Sequence, residues 1–356
     1  MGVHMDVAAV AATAADAPLE KTTITRRETG PDEVLIEIEF SGICHSDIHT
    51  ARSEWGRTPY PMTPGHEIVG IVREAGSEVT RHKVGDRVGV GCMVGACHEC
   101  GPCVEGREQE CERIPTMTYG SPLPEGHPEG HVTNGGYSTH IVVEERMVVS
   151  VPDALDPANA APLLCAGVTM FSPLRQWKVG PGSKVAVIGM GGLGHVGVQL
   201  AAAMGAEVTV LSQTTSKRDD SLRFGAVEHY ATAGDEGKQQ LRELRGQFDV
   251  ILNTVSANLP LDRFLALLKP RGAMVEIGLP TEPMQLRANS VAMGRKVLTG
   301  SMIGGLPETQ ETLDFCAEHG IAAEIEMISA DQVNEAYDRV VNSDVRYRFV
   351  IDAKTF

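Results

Sequence analysis

Between residues 33 and 40 the chain reads EVLIEIEF. Apolar and acidic side chains alternate there, the period-2 pattern of a strand with one buried and one wet face. Shorter β-branched runs follow at 68–72, 88–90 and 138–143, separated by Gly, Pro and His, and this spacing predicts a small barrel-like β domain. From 92 to 136 the periodicity is lost and Gly, Pro, Cys and charged residues dominate. So long an irregular stretch needs a staple other than a hydrophobic face. After Pro152 the pattern changes. Apolar runs at 184–189, 207–211, 227–230, 249–253, 273–277 and 297–303 alternate with helical segments, notably 192–204, 241–245 and 261–268. Six strands with crossovers predict a doubly wound parallel sheet. The tail from 307 to 356 carries a helix-like stretch and a last strand at 347–351. The expected class is α/β, divided into a β-rich part over 1–151, a Rossmann sheet over 152–304 and a tail over 305–356.

Length and charge narrow the partners. At 356 residues the chain exceeds what one hydrophobic core usually supports, in keeping with two domains. The balance of 31 Lys+Arg against 47 Asp+Glu gives −16, which argues against nucleic acid and against an anionic membrane surface. No run approaches the ~18 apolar residues of a membrane span. Residues 1–18 are alanine-rich without a basic start and a leucine-type block, so no secretory signal is expected and the cytoplasm is the default. Eight cysteines occur, four of them between 97 and 111. In a large intracellular chain such a cluster points to metal before disulfide.

Three groups of residues carry candidate chemistry. The run KVAVIGMGGLG at 184–194 is a strand entering G-x-G-x-x-G. Gly189 permits the tight turn, Gly191 lets backbone approach a pyrophosphate, and Gly194 lets the helix pack on its strand; Gly192 and Leu193 complete the turn. The following helix offers free N–H groups to phosphates. At the end of the second strand NAD binders usually carry Asp or Glu. Here the chain reads Ser212-Gln-Thr-Thr-Ser-Lys217-Arg218, with no carboxylate before Asp219, and hydroxyls with Lys217 and Arg218 accept a 2′-phosphate without repulsion. NADP is therefore favoured over NAD. The second group is Cys97-x2-Cys100-x2-Cys103-x7-Cys111, four thiolates in one loop, suited to structural zinc. A ferredoxin-type iron–sulfur run also begins C-x2-C-x2-C but continues x3-C-P, which this loop does not, so zinc is preferred. The third group is dispersed: Cys44, His66 with Glu67, and Cys165. Each has an ordinary alternative, a packed small thiol or a loop histidine, and spacing alone does not join them.

The strings CHSDIH at 44–49, YPMTPGHE at 60–67 and SQTTSK at 212–217, in this order around a nucleotide fold, resemble the zinc-dependent medium-chain alcohol dehydrogenases. They are most similar to the cinnamyl-alcohol-dehydrogenase-like, NADP-dependent branch. The resemblance covers essentially the whole chain. It implies a discontinuous GroES-like catalytic domain, 1–151 plus 305–356, around an NADP-binding domain. It also implies a catalytic zinc on Cys44, His66 and Cys165 with an open fourth position, as in alcohol dehydrogenase sites generally, and a structural zinc on the four-cysteine loop. By the same resemblance Glu67 is a carboxylate that can approach or replace the water, and Asp47 orients the ligand histidine. A proton relay would run from Ser46 through the cofactor ribose to His49. His45, Thr169 and Arg346 would lie along the dinucleotide, and Trp55, Met93 and the 116–119 stretch with Tyr119 would line the substrate cleft. The implied reaction is hydride transfer between NADP(H) and a primary alcohol or aldehyde, aromatic or medium-to-large and apolar. Relatives pair the last sheet edge across a two-fold axis, so a homodimer is expected. Polyol or threonine dehydrogenases of the same superfamily generally use NAD, for which an acidic residue at 212 is wanting. A non-catalytic dinucleotide-binding or zinc-storage protein has no need for an open zinc site with a relay. Cys92 and Cys316 receive no role.

Overall fold

The computed structural model describes residues 4–280 and 282–356; the first three residues of the expected 1–151 segment lie outside it. The chain forms two compact units, one of residues 1–168 with 304–356 and one of 169–303. The break falls at 168 where the sequence suggests 151. The short helix Pro157–Ala160 and the turn Ala161–Leu164 pack on strands Glu33–Gly42 and Ile68–Ala75, and the turn also on Arg87–Val90, so their apolar side chains belong to the first unit.

In that unit the central strand is Glu33–Gly42. Val34, Ile36 and Ile38 are buried along it while Leu35, Glu37 and Glu39 are partly exposed, as the alternation requires. It pairs antiparallel with Ile68–Ala75 on one side, and with His140–Glu144 and Arg348–Asp352 on the other. Arg87–Val90, Val149–Ser150 and Ile325–Ile328 extend the sheet. The alanine-rich start, which carries no periodicity to read, is a strand. Met5–Ala11 pairs antiparallel with Glu20–Arg26, and Val7, Ala9, Val10 and Ala11 are buried. Alanine has weak strand preference, so burial against neighbours decides this element.

The second unit is a six-stranded parallel sheet. Its spatial order is Glu228–Ala231, Glu207–Ser212, Lys184–Ile188, Phe248–Asn253, Leu268–Glu276 and Val297–Gly300. Every neighbouring pair is parallel. The order reverses between the first and fourth strands, which is the Rossmann arrangement with its ligand crevice at the carboxyl ends. One apolar core cluster unites Ala186, Ile188, Ile251 and Met274 of the sheet with Leu241, Leu261, Phe264 and Leu265 of the helices Gly234–Glu243 and Leu261–Leu265. No helix among the described residues is long and apolar enough to cross a membrane.

Candidate active site

Antiparallel register brings the first ligand candidates together. Ser41 lies opposite Ile68, so the residues just past one strand's end, Ile43 and Cys44, face those just before the next strand, His66 and Glu67. The Gly42 N–H donates to the Glu67 carbonyl at 2.9 Å, and a Cβ at Gly42 would collide with the Glu67 carboxylate. Cys44 then caps the helix His45–Ala51. Cys165 arrives from far along the chain at the end of the turn Ala161–Leu164. That turn sits over Gly89 and Gly91, where any side chain would meet Leu164. Cys44, His66, Glu67 and Cys165 are all buried, and their ligand atoms lie within 4.8 Å of one another. Two sulfurs, one imidazole and a nearby carboxylate form a donor set suited to a catalytic zinc.

Asp47 organises this group. Its carboxylate is fully buried and accepts from the Cys44 N–H (2.8 Å), the Gly65 N–H (3.2 Å), His66 Nδ1 (3.0 Å) and the Tyr137 hydroxyl (3.1 Å). Holding Nδ1 leaves Nε2 of His66 for a metal, the usual carboxylate–histidine arrangement. Burial is the largest single influence and lowers the His66 pKa, but Asp47, Cys92 and Cys44 together raise the imidazole well above its ordinary value. The Cys44 thiol is drawn well down, first by its hydrogen bond with Cys165. Cys165 is correspondingly pushed up by Cys44, Cys92 and burial. The pair thus shares a first, easily formed thiolate, which is the state a cation selects.

The helix His45–Ala51 carries the other predicted residues. His45 is exposed, and Ser46 lies 3.7 Å from the Cys44 sulfur. His49 stacks with His45 (5.8 Å between centroids) and with Trp55 (4.7 Å). Its Nδ1 meets Glu54 in a short contact, and its Nε2 is buried without a hydrogen-bond partner. Tyr119 faces the ligand histidine, its ring centre 5.6 Å from that of His66. Met93 is buried in the small strand Met93–Gly95, opposite Met117.

The four-cysteine loop closes into one cage. The sulfurs of Cys97, Cys100, Cys103 and Cys111 lie within 4.8 Å of one another, and those of Cys97 and Cys103 are 3.8 Å apart. A tetrahedron with Zn–S of ~2.3 Å has S–S edges of about 3.8 Å, whereas an iron–sulfur cluster inserts irons and sulfides between its thiolates. The distances fit one zinc ion and not a cluster. N–H groups of Glu99 and Cys100 pull the Cys97 thiol down to about 6, while burial pushes Cys103 up to about 12.

In the second unit the glycine turn has the expected form. Gly189 adopts φ +93°, a conformation glycine takes without strain. A Cβ on Gly194 would strike the Gly189 carbonyl, while the space beside Gly191 is open; the turn with Gly192 and Leu193 leads directly into the helix Gly194–Ala203. Such a cradle fits a pyrophosphate. At the second strand's end, Thr214 and Ser216 are exposed and their hydroxyls bond each other at 2.9 Å. Lys217 Nζ donates to the Met190 carbonyl of the glycine turn at 3.1 Å. Ser212 is half-buried, and its carbonyl accepts from Thr232. Thr169 is buried with its hydroxyl unpartnered.

Comparison with known proteins agrees with both halves. Residues 30–153 match the alcohol dehydrogenase GroES-like domain and residues 192–318 the zinc-binding dehydrogenase domain. The chain is 59% identical to NADP-dependent alcohol dehydrogenase C 1 of Mycolicibacterium smegmatis over 97% of each chain. It is 50% identical to an aldehyde reductase of Escherichia coli over 99% of each. The chain belongs to the zinc-dependent medium-chain alcohol dehydrogenases. Among solved structures it is similar to a cinnamyl alcohol dehydrogenase from Sorghum bicolor, with TM-score 0.93, 41% identity and 98% of each chain covered. It is likewise similar to that of Helicobacter pylori complexed with NADP(H), with TM-score 0.91, 39% identity and 99% coverage of each.

Three residues of this alcohol dehydrogenase's metal region escape sequence reasoning. Arg348, on the strand Arg348–Asp352, is buried and pairs with the Glu67 carboxylate in a short contact. The string VRYRFV at 345–350 holds two arginines, and sequence points to Arg346, which is exposed with its N–H on Glu326. Strand alternation does not choose between them, because residues two apart share a face; the strand begins at Arg348 and leaves Arg346 outside it. Tyr137 follows a glycine pair and has no motif. Cys92 lies beside Cys165, close enough to bond and perturb it, so it neighbours the candidate ligand group although its sequence position is near the four-cysteine loop. Cys316 is buried in the helix Leu306–His319.

Proposed function

We propose that this dehydrogenase interconverts primary alcohols and aldehydes, aromatic or medium-to-large and apolar, using NADP(H) and two zinc ions per chain. The observation that carries it is the convergence of Cys44, His66 and Cys165, with Glu67 beside them, from three distant parts of the sequence. When bound, the zinc supplies Lewis-acid polarisation of the substrate oxygen and the dinucleotide supplies or takes the hydride. Cys44, His66 and Cys165 hold the metal, and Asp47 keeps His66 and the Cys44 turn oriented. Arg348 pairs with Glu67 and opposes the burial that favours its neutral form. Ser46 and His49 serve as donor and acceptor for the alcohol proton, and the unpartnered Nε2 of His49 supports that role. Trp55, Met93 and Tyr119 favour an apolar or aromatic substrate.

For the cofactor, Gly189, Gly191, Gly192, Leu193 and Gly194 cradle the pyrophosphate, and Ser212 to Lys217 receives the 2′-phosphate. His45, Thr169 and Arg346 lie along the dinucleotide. NADP is supported by the absence of a carboxylate between Ser212 and Arg218 and by the NADP dependence named for the mycobacterial relative. The unit of residues 1–168 and 304–356 is the catalytic domain, and that of 169–303 the NADP-binding domain. The edge strand Val297–Gly300 and the exposed Leu279, Met284, Leu286, Met293 and Met302 in the sequence flanking it suit a homodimer contact. All eight cysteines are unpaired, and six committed to metal suit the reducing cytoplasm.

An aldehyde panel run with both cofactors tests the reaction. NADPH is expected to be oxidised with an aromatic aldehyde far faster than NADH, by protein holding about two zinc per chain. No turnover with any aldehyde, or a preference for NADH, would overturn the proposal.

A further inference from the structure

The loop after the second strand of the parallel sheet is held from behind by a buried histidine. His229, opposite Val210 in the neighbouring strand, is 1% exposed. Its Nε2 lies 3.0 Å from the Thr214 carbonyl and its Nδ1 2.8 Å from the Ser221 hydroxyl. A carbonyl only accepts, so Nε2 carries the proton, and Nδ1 is then free to accept from Ser221. Burial, with Arg218 adding to it and the Thr214 bond opposing, lowers the imidazole pKa, which favours this neutral form. Ser221 is the one buried residue of the helix Arg218–Arg223, and its single hydroxyl proton is shared between His229 Nδ1 and the Arg218 carbonyl 2.7 Å away. Arg218 is drawn to the same strand: its Nη1 donates to the His229 carbonyl at 2.7 Å and its Nη2 meets Glu228 at 3.3 Å.

These bonds give the loop one face for structure and one for ligand. An anion site tolerates N–H and O–H groups but not carbonyl oxygens aimed at it. His229 takes the Thr214 carbonyl inward, and the Thr214 and Ser216 hydroxyls remain on the exposed side. The helix has no buried apolar residue of its own; Phe224 just past its end packs on His195, and this polar clasp ties down its start. Arg218, committed to His229 and Glu228, acts within the clasp, whereas Lys217 reaches the glycine turn.

We propose that His229, together with Ser221, is the positioning pair that gives this enzyme its preference for a 2′-phosphorylated dinucleotide, by fixing the 212–217 loop with the Thr214 carbonyl turned away from the ligand. It rests on the assignment of that loop to the 2′-phosphate. Neither residue touches the cofactor; both act through the loop backbone.

The test is binding, not turnover. Fluorescence titration with NADPH and NADH, and calorimetry with 2′-AMP and 5′-AMP, are run on the parent protein and on His229→Phe, His229→Gln and Ser221→Ala. Phe fills the space without either hydrogen bond and is expected to weaken NADPH and 2′-AMP binding about tenfold, with NADH and 5′-AMP changed less than about twofold. Gln, whose amide can donate to the Thr214 carbonyl, restores most of the loss, and Ser221→Ala shifts the same ratio in the same direction. If His229→Phe does not fold by circular dichroism, Ser221→Ala decides alone. A parent that prefers NADPH and folded variants that keep the same NADPH-to-NADH ratio would overturn the positioning role only. A parent without any preference would remove the loop assignment and this role with it.

Discussion

Glu67 and Arg348 show how one buried charge is kept usable. Burial raises the Glu67 pKa to about 7, against the opposing pull of Arg348. Its Oε2 has no hydrogen-bond partner, and neither has Arg348 Nε. A group with a raised folded pKa contributes stability below its unfolded value and loses it as pH rises through the folded one. Replacing Arg348 by Met leaves the carboxylate uncompensated and raises its pKa further. Breaking a buried pair costs about 3–5 kcal/mol when the remaining group stays charged, and at low pH protonation relieves part of that. Thermal unfolding of Arg348→Met should therefore show a larger loss against the parent at pH 8 than at pH 5.5. Equal losses at both would remove the electrostatic account. Asp47 has no such strain, because four donors satisfy it.

The four-cysteine loop has the donor set of a metal cage and little else to hold it. Between 92 and 136 the regular structure is limited to strands of two or three residues and single helical turns, so little apolar burial holds it. Yet it supports its neighbour. Glu108, at the loop's far side, accepts from the Leu306 N–H at 2.9 Å, at the start of the helix Leu306–His319, where a carboxylate also meets the positive end of the helix dipole. Cys103→Ser should lower the metal content to about one zinc per chain and lower Tm. Unchanged zinc content by elemental analysis would count against the cage. The loop's irregularity was legible in its composition and its staple in the cysteine spacing. Its hold on a helix two hundred residues later was not, because no local pattern encodes a contact between Glu108 and Leu306.

At the level of the molecule, the parallel sheet ends on Val297–Gly300, which among the described residues pairs with one strand, Leu268–Glu276. Unpaired strand edges are usually covered, and the exposed methionines and leucines of residues 279–302 would otherwise face water. Light scattering during size exclusion should report twice the 38.1 kDa chain mass. A stable single-chain species after tenfold dilution would argue for another cover. The net charge of −16 keeps its first meaning for nucleic acid, yet local cations coexist with it. Lys217 lies at the glycine turn and Arg348 inside the barrel unit.

Periodicity, glycine spacing and cysteine spacing were enough for the β-rich unit, the six parallel strands, the dinucleotide turn and the four-sulfur cage, because each is a short-range pattern with a local physical cause. The candidate ligand set of the buried site is different. Cys44, His66 and Cys165 meet through antiparallel register and a turn laid over Gly89 and Gly91, and residue order alone signalled them through family resemblance. Arg348, Tyr137, Cys92 and the His229 clasp were invisible before the fold was known. Burial and hydrogen bonding between distant residues are properties of packing, and packing alone gave these side chains their partners.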